Sequence, residues 1–549
     1  MKSKRLTLSV LFVVAAVANA LACTNLIVGK NASADGSTIV SYSADSYGLF
    51  GELYHYPAGM HKKGTLIDIH EWDTGKYLGQ IAQARQTYNV IGNMNEFQLT
   101  IGETTFGGRP ELVDTTGIID YGSLIYLGLQ RSRTAREAIK VMTELVQEYG
   151  YYSSGESFTI ADPNEIWIME MIGKGPGVRG AVWVAVRVPD DCISAHANQS
   201  RIHQFNMNDK ENCMYSPDVI SFAREKGYFD GVNKDFSFAD AYAPLDFGAR
   251  RYCEARVWSY FNMFTDRGNE FLPYILGETN TPMPLFVKPN RKVSVQDVKN
   301  AMRDHYEGTP LDISKDFGAG PYHTPYRLSP LSFKVGDREY FNERPISTQQ
   351  SGFVFVAQMR SELPDPIGGV LWFGTDDANM TVFTPVYCCT DKVPVCYTRV
   401  DGADYITFSW NSAFWIFNWV ANMVYPRYDL MIDDVRATQT ELETTFNEAQ
   451  EGVEAAAAKL LEKDPAKAKA FLTNYTNMTA QSTFDTWKRL GEFLVVKYND
   501  GVVKRMKNGQ FERNSIGQPA GVIRPGYPKE FLEEYVKQTG DRYKMPEYN

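Results

Sequence analysis

A cysteine stands where this chain reads as cut, at the head of a segment that reads as sheet. Lys2, Lys4 and Arg5 form a basic stretch, Leu6 to Val17 an apolar one, and Ala20, Leu21 and Ala22 a small-x-small cleavage site. Removal of residues 1–22 as a signal peptide would make Cys23 the first residue of a chain exported to a periplasmic or extracellular space. A terminal cysteine carries a thiol and a free α-amino group on one residue. An amine with a pKa of roughly 7.7–8.0 can accept the thiol proton near neutral pH. Thr24 to Lys30 and Thr38 to Ser43 are predicted strands joined by the turn-rich stretch Asn31 to Ser37. A strand would pin the cysteine, which a frayed terminus could not do within the tolerance that chemistry needs. Two other readings of Cys23 stay open. One is a lipoprotein acylated on both sulfur and nitrogen, although its recognition wants Leu at the third position before Cys, where Ala20 stands. The other is a structural cysteine in a disulfide.

Aromatic content of 9 Trp, 31 Phe and 32 Tyr in 549 residues supports a large core and argues against disorder. Loss of residues 1–22 removes three positive charges and moves the formal charge from −10 to −13. So acidic a chain repels polyphosphate, which argues against nucleic acid or anionic membrane as the main partner. No later stretch approaches the ~20 apolar residues of a membrane span, since Phe408 to Val424 is interrupted by Asn411, Ser412, Asn418 and Asn422.

Besides Cys23 there are Cys192, Cys213, Cys253, Cys388, Cys389 and Cys396, an even set that allows up to three disulfides in an oxidising compartment. There is no Cys-x-x-Cys, no His-Glu-x-x-His and no histidine close to Cys388 or Cys396, so a zinc site is not expected.

Further strands are predicted at Thr87 to Gly92, Gln98 to Gly102, Ser157 to Ala161, Ile166 to Ile172 and Ala181 to Val188, and helices at Gly122 to Ser132 and Thr134 to Glu148. Thr134 with Glu137 has the spacing of a capping box. Strands before and after a helical pair point to an α+β fold of packed sheets covered by helices. Gly175, Gly177 and Gly180 match the spacing of a dinucleotide loop, but a strand and not a helix follows them, so a hairpin is expected. Residues 431–549 read as a helical C-terminal extension, with helices at Glu441 to Glu462, Ala466 to Thr473 and Thr486 to Val496.

Residues 23–39, from Cys23 through Asn25, Gly29, Asp35 and Gly36 to Ile39, resemble the mature N-terminus of the dipeptidase A-like cysteine dipeptidases. These belong to the N-terminal-nucleophile (Ntn) hydrolases, with bile salt hydrolase and penicillin V acylase. The resemblance covers about residues 23–430 and implies an αββα four-layer sandwich there. It also implies Cys23 as nucleophile, Asp45 orienting its amine and thiol, Asn198 as an oxyanion or substrate-binding donor, and Arg256 bordering the nucleophile from a later helix. Asn95 and Glu96 match another family signature, after which relatives carry a second oxyanion donor; here that stretch reads Gly102, Glu103, Thr104, Thr105. Where many relatives place an arginine near the thiolate, this chain has Tyr42.

Read as residues alone, Asp45 also suits a turn, Asn198 a loop that needs its backbone satisfied, and Arg256 an ion pair on a helix. The scheme implied is attack by the Cys23 thiolate on a peptide carbonyl, the α-amine shuttling the proton, and hydrolysis of a thioester by water, with no metal or cofactor. Dipeptides are the implied partners, their free amine recognised by an acid such as Asp45, Glu96 or Glu103; a homo-oligomer stays open. A same-fold acylase for another linear amide is an alternative. A papain-like protease would need a different cysteine environment from any found here.

Overall fold

Asn25–Val28 (β1) and Thr38–Asp45 (β2) are the two strands expected after Cys23, and they pair antiparallel with Ile27 opposite Val40. This is a computed structural model, and it describes residues 23–547; the expected signal peptide lies outside the described residues. Both strands are buried along their whole length, as their runs of Leu26, Ile27, Val28 and Ile39, Val40 require.

These strands lie in the middle of a six-stranded antiparallel sheet. β1 is flanked on its outer side by Ile193–His196, and β2 by Ser351–Met359, followed by Val370–Thr375 and Thr384–Tyr387. A second sheet, of eight strands, is built around Thr100–Gly107 (β3), Gly155–Ala161 (β4), Ile166–Gly173 (β5) and Ala181–Arg187 (β6). The two sheets face each other where β1 and β2 meet β3 and β4. Gly102 permits the closest approach, because a Cβ there would sit 2.5 Å from Asn25 Oδ1 and 3.3 Å from Tyr42 Cβ.

Helices cover both outer faces. Tyr121–Arg131 (α1) and Ala135–Tyr149 (α2) lie on the eight-stranded sheet, α2 burying Ala138, Ile139, Met142, Leu145 and Val146 at helical spacing. The Thr134 hydroxyl caps α2 by accepting from the Glu137 N–H, but the Glu137 carboxylate takes the N–H of Arg133, so the capping box is closed on one side only. The six-stranded sheet is covered by Ala255–Phe264 (α3), Ala413–Val424 (α4) and two 34-residue helices, Tyr428–Leu461 (α5) and Pro465–Tyr498 (α6). No helix among the described residues is long and apolar enough to cross a membrane. The chain is thus a mixed α and β fold with antiparallel sheets.

Gly175, Gly177 and Gly180 all take positive φ in the hairpin between β5 and β6, with β6 following directly. The expectation of up to three disulfides is not met: all seven cysteines are free thiols. Six of them are dispersed. Cys192 precedes the strand beside β1, Cys213 lies on the edge strand next to β6, Cys253 enters α3, and Cys388, Cys389 and Cys396 follow the last strand of the first sheet. Cys388 Sγ is turned onto the Asp365 carbonyl, 3.0 Å away.

Candidate active site

Cys23 sits at the head of β1, 3 % exposed, in the gap between the two sheets. Its neighbours come from strands far apart in sequence. The Tyr42 hydroxyl lies 3.8 Å from Sγ and Glu103 Oε1 3.5 Å, and the Tyr42 hydroxyl donates to the same Oε1 at 2.6 Å. Tyr42 can reach across because Gly102 leaves room at its Cβ, and Phe353 and Phe355 hold its ring edge-on from the neighbouring strand. Burial pushes the Cys23 thiol well up, the Glu103 and Asp45 carboxylates push it further, and the Asp45 N–H and Tyr42 hydroxyl pull the other way.

Asp45 ends β2. Its backbone N–H is directed at Sγ, while its fully buried carboxylate accepts from Arg344 Nη2 at 2.5 Å, Ser351 Oγ at 2.5 Å and Ser43 Oγ at 3.1 Å. Arg256, 1 % exposed on α3, clasps residue 23 through its backbone: Nη1 donates to the Cys23 carbonyl at 2.6 Å and to Thr24 Oγ1 at 2.8 Å. Its Nη2 donates to the Ala197 carbonyl and to Asn198 Oδ1, both at 3.0 Å. Burial, then the nearby Arg344, lowers the Arg256 guanidinium to about 10. Asn198 takes a positive φ of 65°, a conformation asparagine tolerates better than most residues, and its Nδ2 donates to the Thr105 carbonyl at 2.8 Å. Its loop is fixed from behind by Glu170, which accepts from Ser200 Oγ and from the N–H groups of Arg201 and Ile202, and which burial raises to about 7. Cys23, Asp45, Asn198 and Arg256 therefore converge.

Asn198 belongs to a set that the sequence did not reveal. The carbonyls of Ile101, Glu103 and Thr105 accept from Asn93 Nδ2, Asn25 Nδ2 and Asn198 Nδ2, at 2.9, 2.7 and 2.8 Å. The Ile101 N–H also turns this way, to the Asn93 carbonyl, so alternate residues of β3 present their backbone to this edge and away from β4. This edge pairs with the Met94–Asn95 strand at Thr100, and beyond it the Glu103 and Thr105 carbonyls are capped by asparagine side chains.

Asn95 and Glu96 do not join the site. Asn95 Nδ2 donates to the Leu129 and Ser132 carbonyls, its Oδ1 accepts from Phe97 and Leu99, and Glu96 accepts from the Asn89 N–H. Thr104 Oγ1 is bonded to His196 Nδ1 at 2.7 Å, a ring that burial and then Arg201 hold neutral with a pKa of about 3. Thr105 Oγ1 donates to Glu156 Oε1 at 2.6 Å. Arg344 and Glu156 are among the ionisable neighbours that sequence reasoning did not single out. No group of three or more His, Cys, Asp or Glu suited to a metal occurs among the described residues.

The family model for peptidase family C69 matches residues 22–55 and 50–441, which takes in Cys23, both sheets and the residues that converge on the thiol. The chain belongs to peptidase family C69. As a C69 member it is a peptidase, and so a hydrolase. A probable dipeptidase of Salmonella dublin is 30% identical over 395 residues, covering 67% of this chain and 81% of the relative. A probable dipeptidase of Latilactobacillus sakei is 26% identical over 429 residues, covering 74% and 82%, and dipeptidase A of Lactobacillus helveticus is 24% identical over 416 residues, covering 72% and 80%.

Proposed function

We propose that this C69 peptidase is a cysteine-type dipeptidase of the Ntn-hydrolase kind, with Cys23 as nucleophile and export exposing its α-amine. The observation that carries the reading is the convergence on residue 23: an N–H of Asp45 at the sulfur, and the Arg256 fork on the Cys23 carbonyl and on Asn198. Two facing antiparallel sheets with helices outside agree with an αββα sandwich, and the names of the relatives agree with dipeptides as substrates.

In this reading, cleavage after Ala22 in the periplasm or outside the cell frees the Cys23 amine. The amine takes the thiol proton, the thiolate attacks the carbonyl of the first residue, and the same amine returns the proton to the leaving amine. A thioester to Cys23 remains, and water cleaves it. Asp45, neutralised by Arg344, positions the sulfur through its backbone, and the Asn198 amide stabilises the oxyanion.

N-terminal sequencing and intact mass of the purified protein test the first step: Cys23 as an unmodified first residue is expected, and an acylated or differently trimmed terminus overturns the reading. Cys23→Ala is expected to lower dipeptide hydrolysis by about 10³-fold or more with the fold retained; an active variant overturns it.

A further inference from the structure

Hydrolysis of a Cys23 thioester needs an acceptor for a proton of the attacking water, and the side chains around the sulfur narrow the choice. The Asp45 carboxylate is taken up by Arg344, Ser351 and Ser43. His196 is bonded through both ring nitrogens, Nδ1 to the Thr104 hydroxyl at 2.7 Å and Nε2 to the Thr159 hydroxyl at 2.6 Å. Glu103 differs from both. Its Oε1 lies 3.5 Å from Cys23 Sγ, and its Oε2 is buried and accepts from no N–H or hydroxyl among the described residues. The residue is held at both ends: the Tyr42 hydroxyl donates to Oε1 at 2.6 Å, and Asn25 Nδ2 donates to the Glu103 carbonyl at 2.7 Å. Burial raises the carboxyl to about 7, which makes it a stronger base than an exposed glutamate and leaves it partly ionised at neutral pH.

We infer that Glu103 takes a proton from the water that cleaves the Cys23 thioester and returns it to the departing sulfur. The inference rests on the dipeptidase reading and concerns its second half, after the leaving residue has gone. The distances agree. A general base lies about 2.6–3.2 Å from the atom it deprotonates, and an attacking oxygen about 3–3.5 Å from its carbon. The thioester carbon is bonded to Sγ, and Oε1 lies 3.5 Å from Sγ, so one water can touch the carboxylate and face the carbon. The step balances. The water O–H bond breaks as its oxygen bonds to the carbon, the proton goes to Glu103, and the C–S bond breaks with its electron pair on sulfur. Protonated Glu103 then gives that proton to the thiolate, which leaves a carboxylic acid product, a free thiol and a carboxylate. The resting contact, in which Sγ donates to Oε1, is the end point of that return. Tyr42 is a positioning residue here. Its hydroxyl fixes the oxygen without a cation, which would hold the carboxyl low and weaken it as a base.

The test uses the processed protein with Ala-Ala as substrate, intact mass after rapid quenching, and iodoacetamide as a probe of the thiol. Glu103→Gln is expected to lower kcat by about 10²-fold, with KM falling alongside and kcat/KM within about threefold of wild type, because acylation is untouched. Alanyl enzyme, mapped to Cys23 and labile to hydroxylamine, should accumulate in the variant and not in the wild type. Added hydroxylamine, which attacks a thioester without a base, should raise the variant's turnover by about tenfold. Tyr42→Phe is expected to show the same split to a smaller degree, and it decides the matter if Glu103→Gln does not fold. An unchanged kcat in Glu103→Gln overturns the inference and leaves the water to the Cys23 amine. So does a fall in kcat/KM as large as that in kcat with no alanyl enzyme, in either variant, because Glu103 would then serve the attack by the thiol. A wild type that alkylates at Cys23 yet does not cleave Ala-Ala overturns the dipeptidase reading itself, and the inference with it.

Discussion

The two sides of Cys23 treat buried charge in opposite ways. On one side Asp45 meets Arg344 at 2.5 Å, and Arg256 donates to carbonyls, a hydroxyl and an amide oxygen. On the other, Glu103 and Glu156 face each other and Asp73 stands near, all three raised by burial, Asp73 to about 6. Charges matched inside the protein fix geometry and leave nothing for a ligand to gain. Acids of one sign left facing each other in a buried place resist ionisation together.

The matched side breaks hardest. Arg344→Ala leaves the Asp45 carboxylate buried without its counter-charge, and the expected loss is about 3–5 kcal/mol of stability, read by urea denaturation; an unchanged midpoint would remove the distinction between the two sides. Next is Arg256→Lys, which keeps the charge but not the planar fork that spans the Cys23 carbonyl and Asn198. A fall in kcat of about 10²-fold with KM within threefold is expected, and a larger effect on KM would place Arg256 in substrate binding instead.

On the acidic side, Tyr42→Phe removes a donor from the charged form of Glu103, a bond worth about 1.5–3 kcal/mol. The Glu103 carboxyl should then titrate about one to two pH units higher, read in the pH dependence of Cys23 alkylation. Glu156→Gln tests the same side through stability. The Glu156 carboxyl is raised in the folded chain, so its contribution is complete below the ordinary carboxyl range and is lost as pH rises toward the folded value. Wild type should therefore lose ground to the variant from pH about 5 upward, by at most about 1.4 kcal/mol per pH unit in paired denaturation curves. A flat difference would mean that Glu156 is ionised in the folded protein.

Much of the frame was legible from local pattern. The strand pair after Cys23, the Thr134 cap and the glycine hairpin between β5 and β6 each depend on residues close in sequence. The helix α6 was less so. Its inner face carries Thr473, Thr476, Thr479 and Thr483, all buried, and Thr476 Oγ1 accepts from the Tyr387 N–H, so a search for apolar spacing split one helix into two. The disulfide expectation failed because parity counts thiols without locating them. In the site, Arg344 lies 299 residues from its partner Asp45, and no local signal marks it. Glu156 did leave one: it shares a strand face with Phe158 and Ile160, where an acid interrupts an apolar register.

The clasp on residue 23 ties the first strand to chain made much later, 233 residues on at Arg256, while Asp45 waits for Arg344 and Ser351. A ribosome must therefore finish nearly two thirds of this polypeptide before the thiol has its surroundings, and such distant closures are the slow ones. A product truncated before residue 344 carries Cys23 but lacks the cation and the hydroxyl that lock Asp45 beside it.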